Sequence, residues 1–278
     1  PVPGYDRHFK ITETFGFDLI TIPMHEDGPD MDMIESLVAE DSSIRGIWCV
    51  PKYSNPTGTV YSDEVVRRFA HLKPKAQDFR IYWDNAYAVH DLYDTHPEIL
   101  NILDECEKAG NPDMVYMFSS TSKITYPGSG VAMLAASVAN IEHMKKQMSV
   151  QTIGPDKLNQ LRHVRMFKNK EGLLAQMKKH AEILRPKFET VLRILERDLA
   201  GKEIASWSKP QGGYFISFNA MPGCAKRIYH LCDEAGVSLT MVGATYPYGN
   251  DREDSNIRLA PSCPPVSELE MAMNRFTV

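Results

Sequence analysis

The chain has 278 residues, 43% of them hydrophobic and 24% charged, with a formal net charge of −5. This composition is typical of a globular protein with a buried core, so it excludes disordered and fibrous classes. Basic residues are scattered and no apolar run reaches the ~20 residues of a membrane helix, so we expect no nucleic-acid binding in this region and no membrane span. The five cysteines form no C-x-x-C pair. Free thiols in a reducing, cytoplasmic location are therefore expected.

The first half of the chain predicts an α/β domain. Apolar, β-branched or aromatic runs of strand length alternate with helix-like stretches, as in a parallel sheet with helical crossovers. The strand-like runs cover residues 46–50, 80–83, 114–118 and 131–138, and the helix-like stretches cover 62–72 and 98–108. Hydrophobicity in these strands is continuous rather than alternating, which indicates that both faces of the sheet are covered.

The second half predicts a smaller α+β domain. A long helical pattern covers residues 171–199, with lysine and arginine between its apolar positions. It is followed by an alternating run at 213–218, a helix-like stretch at 225–234, a strand-like run at 257–260 and a closing helix after Ser267. We therefore divide the chain into a large domain at 1–182 and a small domain at 183–278.

Three polar clusters directly follow the first three predicted strands. They read S-N-P-T-G at 54–58, D-N-A-Y at 84–87 and S-S-T-S-K at 119–123. In an open parallel sheet, ligands bind at the carboxyl ends of the strands, so this is where a site is expected.

Each cluster also has a purely structural explanation. The first is a good turn sequence, an aspartate at a strand end is often a helix cap, and a single lysine is usually a surface residue. Three such clusters after three successive strands are harder to assign to chance. The combination therefore predicts a functional site.

The residue types match what pyridoxal phosphate requires of a protein. Lys123 offers the amine for the Schiff base, and Asp84 offers a carboxylate to keep the pyridine nitrogen protonated. Tyr87 and Asn55 can donate hydrogen bonds to the ring hydroxyl oxygen. A lysine serves as a proton acceptor near neutral pH when its surroundings favour the neutral amine.

The phosphate of such a cofactor also needs a cradle. Ser120 and Ser122 lie in a predicted turn, where hydroxyls and backbone amides can bind a phosphate. Rival sites are not indicated, since the sequence has no dinucleotide, phosphate-loop or zinc-helix motif. The histidines, His90 and His163 among them, are unclustered, so we expect surface or packing roles for them.

These three clusters, together with N-I-R-L at 256–259, resemble the marker segments of class I and II aminotransferases, which have pyridoxal-phosphate fold type I. The resemblance implies a mostly parallel large domain, a small C-terminal domain and transamination between an amino acid and a 2-oxo acid. It also implies that Asn55 and Arg258 bind the substrate, with Arg258 holding the α-carboxylate through a two-pronged hydrogen bond. Residues 211–215 would line the site, and the protein would be a homodimer with the site at its interface.

Finer similarities at 51–58, 120–132 and 151–165 resemble one bacterial branch of aspartate aminotransferase-like proteins, some of which are labelled MocR-type regulators. This resemblance favours aspartate or glutamate with 2-oxoglutarate as substrates, with aromatic or other neutral amino acids as the nearest competitors. Two alternatives stay open. The chain could be the effector-binding domain of a MocR-type regulator, or a lyase or decarboxylase of the same fold.

The chain departs from the family pattern at two places. The family has an arginine for the cofactor phosphate where this chain has Gly130, within P-G-S-G-V-A at 127–132. The family also has a segment before the position of Pro1, including a phosphate loop and an aromatic residue that stacks on the cofactor. We therefore expect the chain to be a fragment that lacks the N-terminal part.

Overall fold

The computed structural model describes all residues from Pro1 to Val278 and contains nine α-helices and nine β-strands. The helices are α1 (Asp6–Thr14), α2 (Met31–Glu40), α3 (Asp63–Ala70), α4 (Ile102–Lys108), α5 (Val138–Met148), α6 (Lys157–Phe167), α7 (Lys170–Leu199), α8 (Ala225–Glu234) and α9 (Val266–Phe276). The strands are β1 (Met24–His25), β2 (Gly28–Pro29), β3 (Gly46–Cys49), β4 (Arg80–Asp84), β5 (Val115–Ser120), β6 (Ala132–Ala136), β7 (Ala205–Trp207), β8 (Ile216–Ala220) and β9 (Asn256–Leu259).

The central sheet has the strand order β3-β4-β5-β6. The strands predicted at 46–50, 80–83 and 114–118 are confirmed as β3, β4 and β5, which run parallel. Their carboxyl ends therefore meet at one edge of the sheet, as the predicted site requires.

The fourth predicted strand differs from expectation in direction and in length. β6 runs antiparallel to β5, with Ser120 opposite Ala132. The connection at 121–131 contains no helix, and a parallel pair would need a longer crossover. The strand also ends at Ala136 rather than at 138, because the Ser137 hydroxyl accepts a hydrogen bond from the Asn140 amide and begins α5.

The helices α2, α3 and α4 pack against the sheet and form the larger of two main cores. Its 19 buried apolar residues include Val66, Phe69 and Ile81. The predicted helix at 62–72 is confirmed as α3, which is capped by Ser62. The helix predicted at 98–108 begins only at Ile102, where the preceding Asn101 provides the cap.

The second core lies mainly in the C-terminal part of the chain, with Leu92 as its one fully buried member from the first half. The antiparallel sheet β7-β8-β9 packs against α9 and the later turns of α7, where Phe188 and Ile194 are fully buried. Earlier in α7, Met177 belongs to a separate small cluster with Phe167. The boundary between residues 182 and 183 stays a prediction, which this division of the core supports.

The predicted helices at 171–199 and 225–234 and the closing helix are confirmed as α7, α8 and α9. The strand predicted at 213–218 begins only at Ile216, since Gly213 has a positive φ of 80° that no strand residue adopts. No helix is long and apolar enough to cross a membrane.

The first helix reaches across to the C-terminal half of the chain. The Tyr248 amide donates to Glu13 Oε1 at 2.8 Å, and the Leu19 amide donates to the Tyr248 hydroxyl oxygen at 3.0 Å. These contacts hold the C-terminal end of α1, while Asp6 at its start accepts a hydrogen bond from Arg258 of β9.

Candidate active site

Asn55 follows β3 in a tight turn. The Gly58 amide donates to the Ser54 carbonyl at 2.6 Å, and Gly58 has a φ of +74°. A Cβ at Gly58 would lie 2.4 Å from Pro210 Cβ, so the turn requires glycine for its backbone angle and for space. Asn55 is 3% exposed, and its Oδ1 accepts a hydrogen bond from Arg258 Nη1 at 3.2 Å.

Asp84 is the last residue of β4, and Tyr87 lies in the turn after it. Burial raises the pKa of the Asp84 carboxyl, while the nearby Lys123 amine opposes this effect. Burial also raises the pKa of the Tyr87 phenol, and the negative charge of Asp84 adds to this effect. Tyr87 therefore keeps its proton at neutral pH and can donate a hydrogen bond.

Lys123 lies in a turn directly after β5. The amides of Ile124 and Thr125 both donate to the Thr121 carbonyl at 2.9 Å, which forms this turn. Lys123 Nζ lies 5.0 Å from the centre of the Tyr87 ring and forms no ion pair within 4 Å. The amine is therefore held by the face of an aromatic ring and stays free for a reaction partner.

Arg258 projects from β9 into the same region. Its Nη1 donates to Asp6 Oδ1 at 3.1 Å and to Asn55 Oδ1 at 3.2 Å, and its guanidinium lies 4.8 Å from the centre of the Phe215 ring. The Nε atom is buried and has no hydrogen-bond partner. One side of the guanidinium is thus fixed, while a donor on its other side is unsatisfied.

The sequence-predicted residues Asn55, Asp84, Tyr87, Lys123 and Arg258 are therefore brought together. The family model described as "Aspartate amino-transferase" matches residues 1–278. This chain belongs to the aspartate amino-transferase family.

Members of the family resemble this chain over its whole length. An aspartate aminotransferase from Corynebacterium glutamicum is 50% identical over 99% of this chain. The crystal structure of an aspartate transaminase from that species covers 100% of the chain with a TM-score of 0.98 and 50% identity. An α-aminoadipate aminotransferase from Thermus thermophilus, solved with N-(5'-phosphopyridoxyl)-L-leucine, is 20% identical over 99% of this chain and 68% of its own, with a TM-score of 0.83.

The chain spans 63% of the length of the first of these relatives and 65% of the solved Corynebacterium chain. The likeness of structure identifies the fold as pyridoxal-phosphate fold type I. The predicted fold class is therefore confirmed.

The structure explains why this family member has glycine at position 130. A Cβ there would lie 2.4 Å from Ser122 Oγ and 2.9 Å from the Ser122 amide nitrogen. With this backbone there is no room for the arginine that the family pattern has at this place. Ser120 Oγ accepts a hydrogen bond from the Ser122 amide at 3.4 Å, so both predicted phosphate ligands lie in the same turn.

Two further residues, neither of them among the predicted catalytic residues, contact Lys123. The Tyr214 hydroxyl donates to the Lys123 carbonyl oxygen at 3.1 Å, and His90 Nε2 lies 3.4 Å from the same oxygen. Tyr214 belongs to the segment 211–215 that was expected to line the site. His90 was expected only to pack or to lie at the surface, and no motif or spacing in the sequence identified it as a site residue.

The helix α6 fixes the turn on its other side. Asn159 Nδ2 donates to the Ser129 carbonyl at 2.7 Å. His163 Nδ1 lies 2.8 Å from the Asn159 carbonyl, which can only accept, so we assign the ring hydrogen to Nδ1. Its Nε2 then accepts from the Thr121 hydroxyl at 2.9 Å. Asp6, which contacts Arg258, is likewise contributed by a helix that the sequence did not predict.

Proposed function

We propose that this chain carries the site of a pyridoxal-phosphate-dependent transamination between an amino acid and a 2-oxo acid. The observation that carries the proposal is the convergence of Lys123, Asp84 and Tyr87 with the Asn55–Arg258 pair at the carboxyl ends of β3, β4 and β5. Aspartate or glutamate with 2-oxoglutarate are the favoured substrates, which the 50% identity to an aspartate aminotransferase supports.

The residues present fit this cofactor. Lys123 is an amine without an ion-pair partner, Asp84 is a half-buried carboxylate without one, and Arg258 Nε is a buried donor without an acceptor. In pyridoxal phosphate, the pyridine nitrogen requires a carboxylate, the aldehyde requires an amine, and the phenolic oxygen requires a donor such as a protonated phenol. Asp84 would hold the pyridine nitrogen, Tyr87 the phenolic oxygen, and the turn with Ser120 and Ser122 the phosphate.

Each side chain then has a defined task. Pyridoxal phosphate, when bound, supplies an electron sink for negative charge on the substrate α-carbon. Arg258 binds the substrate α-carboxylate with charge-assisted hydrogen bonds, while Asn55 and the Phe215 ring orient the guanidinium. The Lys123 amine takes the α-proton as a general base, and Tyr87 donates a hydrogen bond without losing its own proton.

The regulator alternative is not favoured, because the relatives that are 50% identical to this chain are aminotransferases.

We further propose a homodimer with the site at its interface. Apolar side chains that α6 leaves exposed, such as Leu158 and Val164, support an interface there. A cytoplasmic location is proposed on the ground that all five cysteines are free.

Substitution Lys123→Ala tests the proposal. We expect it to abolish both the absorption band of covalently attached pyridoxal phosphate, measured after unbound cofactor is removed, and the release of keto acid from a panel of amino acids. Lys145→Ala, which removes an exposed lysine paired only with Glu142, is the matched control and should retain both signals. Keto-acid release that survives in Lys123→Ala would contradict the assignment, and the panel identifies the substrate in the wild type.

A further inference from the structure

We propose that Tyr214 and His90 are positioning residues for Lys123, which hold its main chain so that the amine stands at the Tyr87 ring. The inference rests on the proposed function, in which Lys123 is the reacting amine. It adds two side chains that act through the backbone of the lysine and do not touch a reacting atom.

Two donors from distant parts of the chain converge on one carbonyl oxygen. The Tyr214 hydroxyl reaches the Lys123 oxygen at 3.1 Å, and His90 Nε2 lies 3.4 Å from it. The amides of Ile124 and Thr125 donate to Thr121 instead, so the turn itself leaves the Lys123 carbonyl to side-chain donors. The positions of Tyr214 and His90 therefore fix the position of the Lys123 carbonyl.

The protonation of His90 suits this role. A carbonyl only accepts, so the hydrogen must be on Nε2. Burial lowers the pKa of His90 to about 4, which keeps the ring neutral at physiological pH. His90 Nδ1 is buried without a partner, so Nε2 makes the one hydrogen bond of this ring. His90 is 4% exposed, which fixes the direction of that bond.

A backbone pairing between residues 90–92 and residues 211–213 places Tyr214. The Gly213 amide donates to the His90 carbonyl at 2.9 Å, and the Leu92 amide donates to the Gln211 carbonyl at 2.9 Å. A Cβ at Gly212 would lie 2.1 Å from the Tyr53 ring, so only glycine permits this approach. The two segments that carry the donors are thus hydrogen-bonded to each other as well as to Lys123.

The same neighbours form an aromatic cluster beside the amine. The ring centres of Tyr87 and His90 lie 5.6 Å apart, those of Tyr87 and Tyr214 5.8 Å, and those of His90 and Tyr214 5.4 Å. Lys123 therefore contacts this cluster twice, through its carbonyl at two members and through Nζ at the third. Loss of either donor leaves the amine less well aligned with Tyr87.

The test compares Tyr214→Phe and His90→Leu with the wild-type chain. Tyr116→Phe is the matched control, since Tyr116 lies near the start of β5 and its hydroxyl donates to Asn140 of α5. The dissociation constant for pyridoxal phosphate is measured by absorbance, and amide hydrogen exchange is followed at residues 123–125. We expect each variant to weaken cofactor binding about two- to tenfold, the usual effect of one lost hydrogen bond.

Exchange at 123–125 should rise in both variants while exchange in β4 and β5 stays unchanged, which separates a local effect from general destabilisation. His90→Gln, which keeps a donor near the position of Nε2, should restore binding to within about twofold. Wild-type affinity and exchange in both variants would overturn the inference. A wild-type chain that binds no pyridoxal phosphate would instead refute the proposed function, and the exchange data would still report on Lys123.

Discussion

Arg258 shares one nitrogen between two acceptors of different origin. Asn55 belongs to the turn after β3, and Asp6 begins α1. The Asp6 carboxylate is 36% exposed, whereas the Arg258 side chain is 12% exposed. Part of the arginine charge is therefore neutralised by the protein before any substrate carboxylate arrives.

We predict that Asp6→Asn tightens the binding of carboxylate substrates. The amide cannot compete for the guanidinium charge as a carboxylate does, and a partly exposed ion pair of this kind is worth up to about 1 kcal/mol. The KM for the amino acid should fall, by about fivefold at most. Asp63→Asn, which removes an exposed carboxylate of α3 that pairs with Arg67, is the control. A higher KM in Asp6→Asn would mean that Asp6 orients Arg258 and does not compete with substrate.

The difference between predicted and missed site residues has a simple physical origin. Asn55, Asp84 and Lys123 lie at or just beyond the ends of apolar strands, and parallel strands bring their carboxyl ends together. Asp6 and His90 reach the site only through tertiary contacts, which leave no periodicity or motif in the sequence. Sequence reasoning therefore predicted the centre of the proposed site and missed residues that contact it from distant parts of the chain.

Among the elements, the turn at 121–131 between β5 and β6 is the most constrained. Its first residue, Thr121, accepts a hydrogen bond from the Val131 amide at 2.8 Å and contacts His163 of α6. Its last part, at Gly130, lies against Ser122. The loop that carries Lys123 is therefore closed by a hydrogen bond between its two ends and fixed to α6.

Gly130→Ala should destabilise the chain and weaken cofactor binding. The new Cβ would overlap Ser122 unless the backbone shifts, and overpacking of this kind costs about 1–3 kcal/mol. Urea unfolding and the dissociation constant for pyridoxal phosphate measure the two effects. The control is Gly154→Ala, because a Cβ at Gly154 has no neighbour within 4 Å. Gly130→Arg, which restores the family residue, should be at least as damaging; tighter phosphate binding in that variant would contradict the steric explanation.

Elements with a strong apolar pattern were predicted and those without one were not. The strands β3, β4 and β5 are continuous apolar runs, so their positions followed from sequence. The helix α6 exposes Leu161 and Val164 and buries only Phe167, so its pattern does not identify a buried face. The direction of β6 depends on a connection held by side-chain hydrogen bonds, which composition does not reveal.

The folded protein contains two buried histidines, His8 and His90, that are uncharged at neutral pH. His8 is 7% exposed and stacks on Trp48 at 5.3 Å, and burial lowers its pKa to about 3. Burial lowers the pKa of His90 to about 4. In the unfolded chain both would titrate near pH 6.5.

The free energy of unfolding should therefore decrease as the pH falls from about 6.5 towards 4. In that range the unfolded chain binds protons at His8 and His90 while the folded chain does not, which favours unfolding by about 1.4 kcal/mol per pH unit for each histidine. Urea titrations between pH 4.5 and 7 measure this slope. His8→Phe should reduce it by about 1.4 kcal/mol per pH unit, whereas substitution of the exposed His143 by Phe should leave it unchanged. An equal slope in His8→Phe would show that His8 is charged in the folded chain.

The contact between Arg258 and Asp6 also bears on the order in which parts of the protein fold during synthesis. It joins residues that are 252 positions apart, and the contact of Arg258 with Asn55 spans 203 positions. Closing loops of this length costs entropy that only the finished tertiary structure offsets. During synthesis the central sheet can be complete while β9 is still inside the ribosome. The proposed carboxylate-binding side of the site is therefore the last part to form, and a chain shortened by a few dozen residues at its carboxyl end would keep Lys123 and lose Arg258.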